Sequence, residues 1–328
     1  MSLPVSRLID AYKTDPDSSF HKLRFHSRQN YTSLMSRLER DCGATDVAEL
    51  KARTLLRLHE GWVGAGNHVA MAHSLVGMLR TLTTFGTTIL EDAECARLSG
   101  VLSKMRFKMP KARTERITAP QAMAVIDQAH KMGLHSIGFA QALQFDLMLR
   151  QKDVIGEWVP ESESGQAIVS HEGYKWLRGI VWSEINSDLI LTHVTSKRGK
   201  EIVVDLKLAP LVMVELTRIL ESGVAPKPGP LIVADATGLP YWNYAFRRQW
   251  RLVACAAGVP LTTFNMDSRA GAISEATDAG AELEHVRHAA THSDIAMTQR
   301  YSRGSTDKIA GVMEKRAAHR LKQQEDAA

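Results

Sequence analysis

The sequence predicts a mainly α-helical protein of two domains, with a small antiparallel β-sheet inserted in the second. Three observations point there. The 328 residues, 44% hydrophobic and 23% charged, are ordinary for a globular chain and exceed the size at which one core usually splits into two. Through the first hundred positions apolar residues recur with helical period. One stretch after the midpoint instead alternates on both sides of a glycine-bearing turn, as a hairpin does.

From about residue 5 to residue 105 every readable segment is helical. The clearest is HVAMAHSLVGMLRTLTTFG, where Ala72, Leu75, Leu79 and Leu82 form one stripe and leave His73, Arg80 and Thr83 off it. RFKMPKARTERIT, at 106–118, is basic, contains a proline and has no apolar period, so it reads as a linker. A boundary near 112 then gives domains 1–112 and 113–328. Two helical segments follow, APQAMAVIDQAHKMG and GFAQALQFDLML, the second with Phe139, Leu143 and Leu147 at helical spacing and with Arg150 just after it. DLILTHVT, SKRG and KEIVVDL make a strand, a turn and a β-branched return strand. The proline-rich APKPGPLIVAD leads into a short apolar run. Helices resume with Phe246, Trp250, Val253 and Ala257 on one stripe and continue through EHVRHAAT into a charged tail. No internal repeat is visible.

Charge narrows the function only slightly. Forty-one Lys and Arg against 36 Asp and Glu leave +5, a mild lean toward a polyanionic partner. Residues 1–118 carry the excess, about +6, and the remainder is near neutral. Lys22, Arg24, Arg28, Arg80, Lys108 and Lys111 are the candidate contacts to such a partner, although such residues also serve simply as solvated helix faces. Three scattered cysteines, Cys42, Cys95 and Cys255, form no disulfide framework or CxxC pair, which suits a reducing cytoplasm. No signal-peptide or membrane-span pattern is present, so a cytoplasmic protein is expected.

Four segments carry the chemistry. FDLMLRQKDVIGEW contains Arg150 and, one turn on, Asp153; TSKRGKEIVV puts Lys197 in the hairpin turn. FNMDSRAGA holds Arg269 near a helix start, and THSDIAMTQRYSR holds His292 and Tyr301. Each residue has an ordinary reading by itself: a helix-end cation for Arg150, a solvated turn lysine for Lys197, a surface ion-pair partner for Arg269, a packed aromatic for Tyr301. His285, His288 and His292 are spaced to share a helix face, which opens the alternative of a metal site. The ordered set over about 119–303, ending in H-S-x-I-x-x-T-x-x-Y-x-R, resembles the tyrosine recombinase (phage integrase) family, and the basic helical segment before it resembles that family's core-binding domain.

The residue types suit such chemistry. A phosphodiester can be broken and rejoined without ATP if its energy is kept in a covalent protein–phosphate bond, and a tyrosine oxygen is both nucleophile and tolerable leaving group. Guanidinium forks match the charge that gathers on nonbridging phosphate oxygens, a role for Arg150 and Arg269. A lysine on a hairpin tip, Lys197, can protonate the departing 5′ oxygen. His292 would donate to the phosphate, and Asp153 would orient Arg150. The resemblance implies a two-domain DNA clamp acting on double-stranded recombination sites through a 3′-phosphotyrosyl link on Tyr301 and a Holliday junction. It also implies a tetramer on DNA, with the charged tail docked on a neighbouring protomer.

One departure stands out. The family's His-x-x-Arg box reads Met266-Asp267-Ser268-Arg269 here, and a methionine can neither take the tyrosine proton nor donate to phosphate. Water or His288 is the candidate substitute. Two alternatives therefore stay open: a catalytically weak or silent DNA-binding accessory protein of the same fold, and a type IB topoisomerase-like relaxation enzyme. No Walker-type loop or carboxylate cluster for Mg²⁺ appears, so no cofactor and no metal is expected in the reaction.

Overall fold

The computed structural model describes residues 3–221 and 228–299, together with 313, 316 and 317. The chain divides into two compact units, Met1–Arg113 and Thr114–Ala328.

The first unit is built from α1 (Val5–Thr14), α2 (Phe25–Cys42), α3 (Ala52–Val63), α4 (Val69–Thr88) and α5 (Ala93–Lys104). Its core gathers Leu8, Ile9 and Tyr12 from α1, Met35 and Leu38 from α2, Leu75, Leu79 and Leu82 from α4, and Leu98 and Leu102 from α5. The expected stripe of α4 is buried as read. Thr83, expected off the stripe, is buried too; its hydroxyl returns to the Arg80 carbonyl at 3.1 Å, so the helix's own backbone satisfies it. Asp92 caps α5 by accepting from the Cys95 amide at 2.7 Å. Burial pushes the Cys95 thiol up to about 12, which keeps it protonated and inert.

The second unit is organised around one buried helix. α6 (Ala119–Lys131) starts with a reciprocal cap: the Gln121 amide donates to the Thr118 hydroxyl, and the Thr118 amide donates to the Gln121 side chain at 3.0 Å. α7 (His135–Asp146) is buried on its polar as well as its apolar side. Phe139 and Leu143 enter the main core, while Gln141 accepts from the Trp250 indole at 2.8 Å and Gln144 accepts from the Asn265 side chain at 2.8 Å. This helix ends one residue before Leu147, at Asp146. Arg150 does not belong to its end; it immediately precedes a further short helix, α8 (Gln151–Ile155). The break comes at Met148, which has a left-handed φ of 51° and turns the chain out of the helix.

After α8 comes a three-stranded sheet that the sequence reading does not contain. β1 (Glu157–Pro160), β2 (Val169–His171) and β3 (Tyr174–Leu177) pair antiparallel in the order β1-β3-β2, with Trp158 opposite Trp176. Segments of three or four residues are too short to display alternation. The buried Trp176 ring fills the space that Cβ atoms at Gly156 and Gly179 would need, and its indole donates to the Ile155 carbonyl at 2.8 Å. The expected hairpin is present as β4 (Ile190–Val194) and β5 (Glu201–Asp205), a separate two-stranded sheet. The apolar run 231–233 makes only an isolated bridge, Val233 to Pro240.

α9 (Pro210–Glu221), α10 (Asn243–Ala256), α11 (Asp267–Asp278), α12 (Leu283–Ala289) and α13 (Ile295–Gln299) complete the described unit. Phe246, Trp250 and Val253 of α10 are buried as expected, whereas Ala257 lies past the helix end. No helix among the described residues is long and apolar enough to cross a membrane.

α11 seats closely on the segment that opens the unit. A Cβ on Gly271 would fall 1.8 Å from the Ile117 carbonyl oxygen, and the Ile117 amide donates to the Asp267 carbonyl at 3.3 Å. Backbone cannot yield as a flexible side chain does, so Gly271→Ala is expected to destabilise the protein by about 1–3 kcal/mol, read as a lower urea midpoint, whereas the control Gly100→Ala, inside α5 with open space around it, is expected to raise the midpoint, by up to about 1 kcal/mol in stability.

Candidate active site

Arg150, Arg269 and His292 converge although more than a hundred residues separate the first from the others. Arg269 lies in the first turn of α11 and is almost fully buried. It donates to the Met148 carbonyl at 2.5 Å and, more closely still, to the Ala290 carbonyl. It is thus not the surface ion-pair partner that its neighbours Asp267 and Glu275 suggest. Arg150 reaches the adjacent residue, donating to the Thr291 hydroxyl at 3.3 Å. Met148 and Thr291 both have a φ of 51°, a region costly for side chains with a Cβ. The two guanidiniums therefore bond the chain at two of its left-handed residues. A small cluster of Ile273, Val286 and Ala290, with Met148 against it, packs beneath them.

Asp153 ties two parts of the site together. Its side chain has no solvent exposure. One carboxylate oxygen accepts from the Arg150 amide at 3.3 Å and lies 3.8 Å from the Arg150 guanidinium; the other accepts from the Ser196 amide at 2.7 Å. Ser196 is the residue before Lys197, so the carboxylate that orients Arg150 also anchors the hairpin turn. The turn closes on itself through Thr195, whose amide donates to the Lys200 carbonyl at 2.8 Å, and through Gly199, with φ of 62°. Lys197 and Arg198 are exposed on it.

His292 is buried beyond the end of α12, its ring Nδ1 3.0 Å from the Thr298 hydroxyl. Its amide donates to the Arg287 carbonyl at 2.9 Å, and the Arg287 guanidinium donates back to the His292 carbonyl at 3.0 Å. Burial, then the charges of Arg269, Arg150 and Arg198, lower the imidazole to about 4. The ring is therefore neutral near pH 7. When the Thr298 hydroxyl donates to Nδ1, Nε2–H is left as the ring's donor. The spacing that suggested a shared histidine face does not hold in three dimensions: His285 and His288 are exposed on α12, and His292 is buried outside it. Among the described residues no group of three His, Cys, Asp or Glu side chains is arranged to hold a metal.

Met266 directly precedes α11 and is 63% exposed. Tyr301 lies outside the described residues. In the first unit Lys22, Arg24, Lys108 and Lys111 are exposed. Arg28 and Arg80 are partly buried and turn to backbone: Arg28 donates to the Leu23 carbonyl, and Arg80 donates to the Leu102 carbonyl at 3.0 Å at the end of α5.

No protein-family model matches the sequence, and no curated protein matches it by sequence. Solved structures do match by fold. A lambda integrase dimer bound to a COC′ core site aligns with a TM-score of 0.71 over 93% of this chain and 79% of the other, at 15% identity. A lambda integrase tetramer bound to a Holliday junction gives 0.69 over 92% and 77%, at 14% identity. The Tn1549 transposon integrase in complex with transposon right end DNA gives 0.66 over 96% and 100%, at 13% identity. The mainly helical architecture with small antiparallel sheets is the fold shared with these integrase structures.

Two outcomes follow from the geometry. Asp153→Ala leaves the buried Ser196 amide without its acceptor and the partly buried Arg150 guanidinium without its carboxylate, and is expected to cost about 3 kcal/mol in urea denaturation, with loss of hydrogen-exchange protection at the Ser196 amide. For His292 the unfolded chain binds a proton near pH 6.5 that the fold refuses until about 4. Stability is thus unaffected above pH 6.5 and falls as pH drops through this window, by at most about 1.4 kcal/mol per pH unit, relative to His292→Gln measured in parallel.

Proposed function

We propose that the protein is a site-specific DNA recombinase that cuts and rejoins double-stranded DNA through a phosphotyrosyl intermediate. The observation that carries this reading is the convergence of two arginines and a neutral buried histidine beside a lysine-bearing turn, on a fold shared with DNA-bound integrases.

In the proposed reaction the Tyr301 hydroxyl gives its proton to water or to His288 as its oxygen attacks the scissile phosphorus, forming a 3′-phosphotyrosyl bond as the bond to the 5′ oxygen breaks. Lys197 gives that oxygen its proton. Arg150 and Arg269 balance the charge developing on the nonbridging oxygens, and His292 adds a hydrogen bond from Nε2. The freed 5′ hydroxyl of a partner strand then attacks the phosphotyrosine and releases Tyr301, so each exchange conserves one phosphodiester. Two exchanges pass through a Holliday junction, within a tetramer on two sites. Lys22, Arg24, Lys108 and Lys111 contribute phosphate contacts, while Arg28 and Arg80 mainly brace the helices.

Met266 favours one competing reading, a DNA-binding accessory protein without strand transfer. Nicked suicide substrates separate the two. A covalent complex stable in detergent, absent in Tyr301→Phe and reduced by about 10²–10³-fold in Arg150→Ala or Arg269→Ala, is the expected result. Sequence-specific binding with no covalent product on any substrate would sink the recombinase reading, and relaxation of plasmid lacking any specific site would point to a topoisomerase instead.

A further inference from the structure

A cleft of about 250 Å³ is lined by residues that neighbour the arginine site in sequence. Two of its walls show this. Gln151, which lines it, directly follows Arg150; Met266, also in the lining, stands three positions before Arg269. The third wall is α10, with Asn243 and Arg247.

The charges of this cleft are not equivalent. Lys152 is paired with the buried Glu157 carboxylate at 2.6 Å. Burial works to raise Glu157, but its contacts with Lys152 and Arg178 outweigh that and hold it below the ordinary carboxylate range. Arg251 donates to the Thr263 carbonyl and stacks on the rings of Trp250 and Phe264, at 5.3 and 5.2 Å. Gln151 and Asn243 bond each other at 2.6 Å. Arg247, in contrast, is exposed and has no hydrogen-bond or ion-pair partner among the described residues. Opposite these groups Met266 presents a thioether, which offers a phosphate no donor.

We propose that Arg247 is a third phosphate-contacting arginine of the reaction, its guanidinium donating to the scissile phosphate from the cleft edge where Met266 provides nothing. This inference rests on the recombinase reading. A guanidinium stays charged at any working pH and can bind two oxygens of one phosphate. A charge on that side strengthens as the transition state gathers negative charge, whereas a contact to a flanking phosphate would act on binding alone.

The test is single-turnover formation of the covalent complex on a suicide substrate, at protein concentrations that saturate the DNA, with affinity measured separately. Arg247→Ala is expected to slow cleavage at saturation by about 10²-fold while weakening binding by less than tenfold. Arg247→Lys should recover part of the rate, since charge survives without the fork. Met266→His placed in the Arg247→Ala background should restore at least tenfold, because an imidazole supplies a donor at the same edge. Because Arg247 is exposed, the variants should melt with the wild type. Wild-type cleavage rates in saturated Arg247→Ala would overturn the proposal, as would a double variant as slow as Arg247→Ala. Wild-type protein that forms no covalent complex would refute the recombinase reading itself, and this contact with it.

Discussion

A carboxylate without solvent exposure, Asp153, is the constraint on which the site depends. Two arginines lie partly or largely buried within a few residues of each other's partners, and bringing cations out of water is costly unless they are paired or hydrogen-bonded. Asp153 meets that demand for Arg150 and at the same time takes the Ser196 amide. Removing it would release the arginine and the lysine-bearing turn together. Arg269 is met differently, by the carbonyls of Met148 and Ala290, whose dipoles answer its buried N–H groups.

The same groups account for the backbone around them. Left-handed conformations at Met148 and Thr291 end α7 and turn the chain after α12, each at a cost of order 1–3 kcal/mol. Both residues lie against a guanidinium. Strain and charge are thus held in one place, and His292 feels the result: burial and three arginines keep it neutral. A neutral imidazole among cations avoids further repulsion and keeps its directional donor. Glycine does the corresponding steric work outside the site, where Gly271 lets α11 lie against the backbone at Ile117.

Much of this was legible in the chain. Helices of ten or more residues with an apolar stripe were visible because their period repeats several times, as in α4 and α10. The β4–β5 hairpin was visible because β-branched alternation flanks a glycine turn. The three-stranded sheet was not, since strands of three or four residues contain no period, and their pairing is decided by Trp176 packing on Gly156 and Gly179. Gln141 and Gln144 lie off the stripe of Phe139, Leu143 and Leu147, yet both are buried, because Trp250, Ser268 and Asn265 approach α7 on that side. Arg247 gave no signal at all beyond being a cation on a helix.

The sequence alone determined the fold class, the identity of Arg150, Lys197, Arg269, His292 and Tyr301 as the residues worth asking about, and the absence of a histidine at Met266. The fold class is exposed by local period, whereas the residues are singled out by the ordered motifs and their resemblance to the tyrosine recombinase family. Only the tertiary structure decided that Arg28 and Arg80 turn to backbone while Lys22 and Lys108 face solvent, that His292 is separated from His285 and His288, and that Asp153 holds both an arginine and a hairpin. Those outcomes depend on which groups lose water together, and burial is a property of the packed chain rather than of any segment of it.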